Sequence, residues 1–271
     1  MTEQTIPAAA LPSADLIFAL ELAELADSIA LPRFRAADLA IDEKPDRTFV
    51  TDADLAVERA LRAKIEAERP GDGFYGEESG RVEQGSRRWV LDPIDGTSNF
   101  LRGVPNWAAL IALEVNEVPT VGVVSAPAFG QRWWAETGGG AWTAVGTESP
   151  RHIRVSGVSE LEHASLSSQS IAQWDEAGFL DPLIALSRAV WRDRAYGDMW
   201  SYMLLAEGLV DIVGEFDVKP YDLAALIPIV REAGGRFTDI EGAESGWNGS
   251  SLATNGRLHD AVLTLVRDSR G

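Results

Sequence analysis

The stretch that decides the fold is Trp89-Val90-Leu91-Asp92-Pro93-Ile94-Asp95-Gly96-Thr97. A short apolar strand leads there into a turn that carries two carboxylates three residues apart, followed by a glycine and a threonine. Pro93 fixes φ between the two acids, so both side chains can project to the same side, and Gly96 lets the backbone approach a bound group closely. Hard divalent cations such as Mg²⁺ prefer oxygen ligands, and a chain with no cysteine and three histidines offers few others. The turn therefore predicts a site for a divalent cation.

Two further acidic turns lie far from this stretch in the sequence. Upstream, Gly76-Glu77-Glu78-Ser79-Gly80 places paired glutamates in a turn flanked by glycines. Downstream, Lys219-Pro220-Tyr221-Asp222-Leu223-Ala224-Ala225 places an aspartate at the start of an apolar helix. In isolation the glutamate pair is equally well explained as a solvated acidic turn. Because three such elements can converge on one metal cluster, the glutamates become candidate ligands, Glu77 more than Glu78.

Together the three stretches resemble the inositol monophosphatase superfamily of Mg²⁺-dependent, lithium-sensitive phosphomonoesterases. The fingerprints of that superfamily look like G-E-E, W-x-x-D-P-x-D-G-T and W-D-x-A-A, and the match extends from about Lys44 to Gly235. The resemblance implies an α+β or α/β fold, a layered α-β-α-β-α sandwich of the inositol monophosphatase and fructose-1,6-bisphosphatase type. It also implies that the metals lie between the two halves of the chain.

The resemblance further implies a set of metal ligands and two or three Mg²⁺ ions per site. Glu77 and Asp92 ligate the first metal together with the backbone carbonyl of Ile94, while Asp92, Asp95 and Asp222 hold the second. Two such ions supply an activated water, a neutralised phosphoryl group and a stabilised leaving alkoxide. Asp92 is then the bridging ligand, and its loss is expected to remove both ions.

Catalytic roles follow from the same resemblance for Glu77, Thr97 and Asp54. Thr97 matches the threonine that helps to orient the attacking water near Glu77, and its hydroxyl pairs with a buried aspartate matched by Asp54. A rival explanation for Asp54 is the helix macrodipole, which favours an acid in a first turn by under about 1 kcal/mol. Lys44 aligns with a family lysine near the metals, although an exposed lysine is an equal alternative.

The region after residue 190 bears on the substrate. Where inositol phosphatases resemble R-x-x-G-[ST]-A, this chain has Asp198 in the sequence Arg192-Asp193-Arg194-Ala195-Tyr196-Gly197-Asp198. A carboxylate that faces a polyol would be desolvated for little return, whereas one that faces an ammonium or imidazolium gains a hydrogen bond of roughly 1.5 to 3 kcal/mol. Histidinol phosphate carries such cations. The segment, with Arg102–Trp107 and Ser125–Ala128, resembles the actinobacterial-type histidinol-phosphate phosphatases of the superfamily.

The substrate contacts that this resemblance implies lie on both sides of the metal turn. Amides around Gly96 and Thr97, at the start of a helix through Phe100, are expected to point N–H groups at a phosphate. The alcohol portion is assigned to four further residues: Arg194, Asp198, Glu215 and Asp222. Two positions depart from the family pattern, since Tyr221 replaces a tryptophan and Ser98 stands where a lysine is more common. Neither change removes a ligand.

The first hypothesis is therefore a Mg²⁺-dependent phosphomonoesterase that hydrolyses L-histidinol phosphate to L-histidinol and phosphate, in histidine biosynthesis, by a metal-activated water. One alternative is an inositol-1-monophosphatase-like enzyme that acts on polyol or sugar phosphates. Another is a catalytically inactive regulator that binds metal or a phosphorylated metabolite. The presence of Glu77, Asp92, Asp95, Thr97 and Asp222 argues against the inactive regulator. A structural protein with incidental acidic turns is the remaining explanation.

Composition excludes several other classes of protein. The chain has 271 residues, 45% of them hydrophobic, with no apolar run approaching 18 residues, so a membrane protein is not expected. A formal net charge of −18 argues against a nucleic-acid partner. The absence of cysteine and of a secretory signal pattern indicates a cytoplasmic protein. A small phosphate ester is the expected substrate, and a homodimer is the expected assembly.

The hydrophobic pattern predicts the organisation of the chain. Helices are expected from Ser13 to Pro32, after Thr51, and from Leu223 to Glu232. Between residues 89 and 142 the pattern favours strands of a mostly antiparallel sheet. A boundary is expected at residues 145–150, with new strands and helices from Ile153. It divides an N-terminal α+β half, 1–147, with most metal ligands from a C-terminal α/β half, 148–271, that supplies Asp222 and the specificity residues.

Overall fold

Two large β-sheets alternate with three layers of helices in the computed structural model, which describes residues 11–44, 48–244 and 248–270. A separate two-stranded antiparallel sheet joins Ile41–Glu43 to Phe49–Thr51. The helices are α1 (Ala14–Arg33), α2 (Asp52–Glu68), α3 (Thr97–Leu101), α4 (Ile171–Glu176), α5 (Leu180–Ala189), α6 (Asp198–Ala206), α7 (Pro220–Leu223), α8 (Leu226–Glu232) and α9 (His259–Asp268). The strands are β1 (Ile41–Glu43), β2 (Phe49–Thr51), β3 (Gly73–Gly76), β4 (Gly80–Val82), β5 (Arg87–Asp95), β6 (Ala108–Val115), β7 (Val118–Ala126), β8 (Gln131–Glu136), β9 (Ala141–Val145), β10 (Arg151–Ile153), β11 (Ser165–Ser168), β12 (Arg192–Asp193), β13 (Ile212–Phe216), β14 (Arg236–Thr238) and β15 (Ser250–Thr254). A 3₁₀ turn covers Leu161–His163.

The two N-terminal helices begin at the predicted caps. The Ser13 hydroxyl accepts a hydrogen bond from the Leu16 amide at 3.1 Å, and α1 runs from there to Arg33, one residue beyond Pro32. Thr51 caps α2 in a reciprocal capping box with Asp54. Both helices pack their apolar faces on the first sheet, where the Phe18 ring meets Trp89 edge-on at a centroid distance of 5.2 Å.

The first sheet contains, within the described residues, eight strands in the order β10-β9-β8-β7-β6-β5-β3-β4. All neighbours are antiparallel except β3 and β5, which run parallel and therefore end at the same edge. The prediction of a mostly antiparallel sheet is confirmed. In β5, Trp89 and Leu91 point to the layer of α1 and α2, whereas Val90 points to the opposite face, as the alternation of a strand requires.

The second sheet follows the order β12-β11-β13-β15-β14 in the described part of the chain. Strands β12, β11 and β13 are parallel, and β13, β15 and β14 are antiparallel. Helices α6 and α8 lie between the two sheets, because Met199 and Leu226 share one apolar cluster with Val90 of the first sheet and Val213 of the second. Helices α4, α5 and α9 cover the outer face of the second sheet. The layers therefore follow the expected α-β-α-β-α sequence.

Two predicted boundaries differ from the structure. Arg151–Ile153 does not begin a new set of elements, because this strand pairs with β9 and completes the first sheet at its edge. The sheets therefore divide after Ile153, whereas the division into residues 1–147 and 148–271 stays a prediction. The single helix expected from Leu223 to Glu232 is also wrong. It is split into α7 and α8, and Pro228 within α8 has no N–H to donate to the carbonyl of Ala224.

No helix formed by the described residues combines the length and the apolar character needed to cross a membrane.

Candidate active site

Strand β5 brings two of the predicted acids to one point. Its pairing with β6 becomes irregular between Asp92 and Asp95, so the chain leaves the regular ladder where the two carboxylates occur. Asp92 is buried, and its Oδ1 accepts a hydrogen bond from the amide of Ile94 at 3.0 Å. One carboxylate oxygen of Asp92 and one of Asp95 lie within 4.8 Å of each other, and α7 packs against this end of β5.

Helix α7 supplies the third acid of this group. Asp222 is the third residue of α7, and its Oδ2 accepts a hydrogen bond from the amide of Lys219 at 2.6 Å. Each of Asp92, Asp95 and Asp222 offers a carboxylate oxygen, and these three oxygens lie within 4.8 Å of one another. We refer to these three residues as the acid cluster. The predicted convergence of the β5 turn with the Asp222 turn is thus present in the structure.

The carboxylates of the acid cluster repel one another, and among the described residues the charge of Lys219 offsets only part of the charge of Asp222. Burial, followed by repulsion from neighbouring carboxylates, raises the pKa values of Asp92 and Asp95 well above those of ordinary aspartates. Burial also raises the pKa of Asp222 to about 7. The negative charges of clustered carboxylates are offset when a divalent cation binds among their oxygens. The donor set of the acid cluster therefore fits a hard divalent metal.

Glu77 lies beside the acid cluster at the end of β3, where its amide donates to the carbonyl of Leu91 at 3.3 Å. Burial raises the pKa of Glu77, while a hydrogen bond from Lys44 and one shared with Asp92 oppose the shift. The Lys44 ammonium lies 2.9 Å from Glu77 Oε1 and 2.7 Å from Glu78 Oε1, and 20% of its side chain is exposed. An exposed lysine, the alternative for Lys44, is therefore wrong.

A carboxylate that the sequence analysis missed supports the glutamate turn. Glu58 of α2 is buried and accepts hydrogen bonds from the amides of Glu78 at 2.8 Å and Ser79 at 2.6 Å. A Cβ atom on Gly76 would lie 2.4 Å from Glu58 Oε2, so a larger residue there would displace the Glu58 carboxylate from these bonds. The sequence contains one indication of this role: Glu58 lies three residues before Leu61 and therefore on the apolar face of α2.

The structure connects Asp54 to Thr97 as well as to its own helix. Asp54 is fully buried, and its Oδ2 accepts from the Thr51 amide at 2.9 Å and the Thr51 hydroxyl at 2.5 Å. The Thr97 hydroxyl lies 3.3 Å from Asp54 Oδ1 and 2.9 Å from the carbonyl of Ile94. Burial raises the pKa of Asp54 to about 6. The capping explanation and the predicted pairing with Thr97 are therefore compatible.

Gly96 and Thr97 lie where the β5 turn becomes α3, and the helix expected through Phe100 is confirmed. Gly96 has a φ of 82°, and a Cβ atom there would lie 2.9 Å from the carbonyl oxygen of Asn106. Both the backbone conformation and the close approach require glycine. Of the two departures from the family pattern, Tyr221 packs edge-on against Tyr75 at a centroid distance of 5.8 Å, and Ser98 is exposed.

A cavity of about 190 Å³ opens beside the acid cluster. It is lined by Asp95, Gln169, Gln173, Asp198, Met199, Tyr202, Glu215, Phe216, Asp217, Val218, Asp222 and Leu226. Glu215 is buried, its Oε2 accepts a hydrogen bond from the Tyr202 hydroxyl at 2.6 Å, and burial raises its pKa to about 8. Burial also raises the pKa of Asp198. The cavity, which we call the substrate cavity, is therefore rich in acids.

Arg194 lies away from the residues that line the substrate cavity. Its amide donates to the carbonyl of Leu166 at 2.9 Å, and its exposed guanidinium bonds the carbonyl of Asp193 at 2.5 Å. Its position at the edge strand β12 turns the side chain outward, and Arg194 does not line the substrate cavity. A contact of Arg194 with substrate stays a prediction.

The chain is similar to proteins of one family over nearly its whole length. Residues 12–270 match the sequence model described as the inositol monophosphatase family. Histidinol-phosphatase of Mycobacterium tuberculosis is 54% identical over 253 residues, which cover 93% of this chain and 97% of that protein. Histidinol-phosphatase of Streptomyces coelicolor is 48% identical, over 92% of this chain and 95% of that protein.

A solved structure agrees with this similarity. The extragenic suppressor protein suhB from Bartonella henselae superposes with a TM-score of 0.85 at 28% identity, covering 94% of this chain and 99% of that chain. The sequence match and the shared layered architecture lead to the same family, as the motifs at Glu77, Asp92 and Asp222 predicted. The chain therefore belongs to the inositol monophosphatase family.

Proposed function

We propose that the chain is a Mg²⁺-dependent phosphomonoesterase that hydrolyses L-histidinol phosphate to L-histidinol and phosphate, a step of histidine biosynthesis. The observation that carries this proposal is the presence of Asp198 and Glu215 in the cavity next to the acid cluster. Relatives named histidinol-phosphatase, at 54% and 48% identity over nearly the full chain, support the same substrate.

The proposed metal ligands are the acid cluster, Glu77 and the carbonyl of Ile94. Bound Mg²⁺, in two or three copies, would supply an activated water and offset the negative charge of the phosphate. The mutual distance of Asp92, Asp95 and Asp222, each with a carboxylate oxygen within 4.8 Å of the others, supports this assignment. Repulsion among these carboxylates adds to the effect of burial in raising their pKa values. Lys44 offsets part of the charge of Glu77 from the other side.

Thr97 is the proposed residue for the orientation of the attacking water. A hydroxyl has one proton to donate, and the Thr97 proton is directed to Asp54 or to the carbonyl of Ile94. The Thr97 oxygen can then only accept a hydrogen bond, so the attacking water would donate a hydrogen bond to Thr97 through one of its two O–H groups. Glu77 is the proposed acceptor for the second proton of that water. Asp54 acts through Thr97 in this arrangement.

The substrate itself would lie across the turn and the substrate cavity. Its phosphate is assigned to the amides of Gly96 and Thr97, and its alcohol portion to Asp198, Glu215 and Asp222, with Arg194 as a further proposed contact. Carboxylates removed from water are unfavourable unless a cation or hydrogen-bond donors face them. An ammonium or imidazolium in the substrate cavity would restore the ionised form of Glu215, which a neutral polyol would not do.

The proposal is tested by phosphate release from histidinol phosphate and from inositol 1-phosphate, each with Mg²⁺ and with EDTA. Histidinol phosphate is expected to give the larger kcat/KM, and EDTA is expected to abolish release from both esters. A preference for inositol 1-phosphate would overturn the substrate assignment. Binding of histidinol phosphate without any release of phosphate would indicate the regulator instead of the enzyme.

Assembly and surroundings also belong to the proposal. We propose a homodimer that works in the cytoplasm, with two halves that meet at the active site and no nucleic-acid or membrane partner. The net charge of −18 supports the absence of a nucleic-acid partner, because it repels a phosphate backbone. Sedimentation of the purified protein would test the homodimer.

A further inference from the structure

We propose that Gln169 and Asn99 are positioning residues that hold the carboxylate of Asp198 toward the cation of the substrate. This inference rests on the proposed function, in which Asp198 recognises that cation. Gln169 follows strand β11 of the second sheet, and Asn99 lies in α3, directly after the β5 turn. We refer to these two side chains as the amide clamp.

Asp198 has a backbone conformation that needs support from its surroundings. Its φ is +47°, in the left-handed region, and it follows Gly197 with a φ of +85°. Non-glycine residues adopt this region rarely, and they remain there when neighbouring groups fix them. Because Asp198 is the first residue of α6, this conformation sets the direction of its side chain relative to the substrate cavity.

Gln169 bonds both the backbone and the side chain of Asp198. Its Nε2 donates to Asp198 Oδ1 at 3.1 Å, and its Oε1 accepts from the Asp198 amide at 3.0 Å. The Gln169 side chain thus binds both the amide nitrogen and a carboxylate oxygen of Asp198. These two bonds restrict the backbone and the carboxylate together, which a bond to the carboxylate alone would not achieve.

Asn99 fixes the other carboxylate oxygen. Its Nδ2 donates to Asp198 Oδ2 at 2.7 Å and to the carbonyl of Asn106 at 2.9 Å, so both protons of the amide are used. Asn106 in turn donates to the carbonyl of Tyr196 at 3.1 Å, two residues before Asp198. The Asp198 carboxylate is therefore held by one residue that follows a strand of the first sheet, Asn99, and by one that follows a strand of the second sheet, Gln169.

The amide clamp fixes the carboxylate without neutralising it. Amide donors carry no net charge, and no lysine or arginine among the described residues forms an ion pair with Asp198. An arginine in the same place would offset the charge that a cationic substrate needs. The use of two amides is consistent with a negative charge that is kept available for the substrate.

The same turn also connects Asp198 to the acid cluster. The amide of Met199, the next residue, donates to Asp95 Oδ2 at 2.8 Å. The carboxylate that receives the cation and the carboxylate of Asp95 are therefore fixed relative to each other by one short piece of backbone. By fixing Asp198, the amide clamp also fixes the position of the cation-binding carboxylate relative to Asp95 of the acid cluster.

The test is a double-mutant cycle between Gln169→Met and Asp198→Asn, with Mg²⁺ in excess and histidinol phosphate as substrate. Each single variant is expected to raise KM by about tenfold with kcat changed less than about twofold, because a ground-state contact is lost. The double variant is expected to resemble Asp198→Asn, because residues that act through one another are not additive. In each variant, kcat/KM for p-nitrophenyl phosphate, which carries no cation, should fall by less than kcat/KM for histidinol phosphate.

The matched control is Gln131→Met, which removes an amide that bonds Thr143 and Glu207. It lies on β8 and does not line the substrate cavity, so KM should stay unchanged. If Gln169→Met does not fold, as judged by its melting curve, Asn99→Ser replaces it in the same cycle.

The outcomes separate this inference from the function on which it rests. A wild-type protein that does not hydrolyse histidinol phosphate overturns the proposed function. If Asp198→Asn raises KM but Gln169→Met does not, or if the two effects are additive, the positioning role is overturned while the function stands. An equal loss of kcat/KM on both substrates in Gln169→Met would assign the amide clamp a purely structural role.

Discussion

The acid cluster and the substrate cavity share Asp95 and Asp222, yet their carboxylates are held in different ways. In the acid cluster, the positions follow from backbone structure: the end of strand β5 and the first turn of α7. In the substrate cavity, Asp198 and Glu215 are held by hydrogen bonds from other side chains. On the proposed function, the difference indicates that side-chain changes can alter the choice of alcohol while the backbone that brings the acid cluster together stays the same.

The largest expected effect comes from Asp92→Asn, because Asp92 is the buried member of the acid cluster. Metal ions supply several kcal/mol of transition-state stabilisation, so kcat/KM for histidinol phosphate should fall by at least about 1000-fold. Mg²⁺ should also no longer raise the melting temperature. Steady-state kinetics and thermal unfolding measure both effects, with Glu176→Gln, at an exposed position outside the acid cluster, as the control. A loss below about tenfold would contradict the metal assignment.

Glu58→Gln should have the next largest effect, because it puts an amide NH₂ group where a buried carboxylate accepts two backbone N–H bonds. The free energy of unfolding should fall by about 1 to 3 kcal/mol. The affinity for Mg²⁺ should fall as well, since the turn that carries Glu77 loses its support. Denaturant unfolding and calorimetric titration with Mg²⁺ measure the two quantities.

Glu66→Gln on the exposed side of the same helix is the control for Glu58, and it should change neither quantity. Unchanged Mg²⁺ affinity in a destabilised Glu58→Gln protein would show that Glu58 supports the fold and not the ligand.

The stabilisation by Mg²⁺ should depend on pH. The folded pKa of Asp222, about 7, lies above its ordinary value of 3.8. In the metal-free protein, Asp222 therefore makes its full contribution to the free energy of unfolding below about pH 4, where it is protonated. This contribution is lost as the pH rises through about 7. Mg²⁺ binds the ionised carboxylates, so the rise in melting temperature on its addition should be larger at about pH 8 than at about pH 6. An equal rise at both pH values would contradict the role of these acids.

The smallest expected effect is that of Tyr202→Phe, which removes the hydroxyl that donates to Glu215. The loss of one hydrogen bond of roughly 1 kcal/mol should raise KM for histidinol phosphate by about fivefold. The concentration of Mg²⁺ required for half-maximal activity should not change, because the backbone of the acid cluster is untouched. A shift in that Mg²⁺ concentration would show that the two regions are not independent.

Most of the acid cluster could be predicted from the sequence, because its carboxylates lie in short motifs whose proline and glycine fix the local backbone. Asp92 and Asp95 come from one such turn, and Asp222 lies in the first turn of a helix that begins with Pro220. The layered fold was predicted through the family resemblance that those motifs carry. The local pattern did not predict that β10 belongs to the first sheet, since three residues are too few for a recognisable period.

The groups that support the site could not be predicted in the same way. Glu58 is one of 42 acidic residues, and its burial depends on how α2 packs against the turn at Gly76. The amide clamp is formed over longer distances: Gln169 lies 29 residues from Asp198, and Asn99 lies 99 residues from it. Neutral amides have many roles in proteins, so residue type alone gave no signal.

The most direct test of the central claim is a crystal structure with Mn²⁺, an anomalous scatterer that occupies oxygen-ligand sites of the same kind. We predict anomalous peaks within coordinating distance of Glu77, Asp92, Asp95 and Asp222, next to the cavity that contains Asp198. Peaks elsewhere on the molecule, with these four carboxylates turned away from one another, would contradict the account.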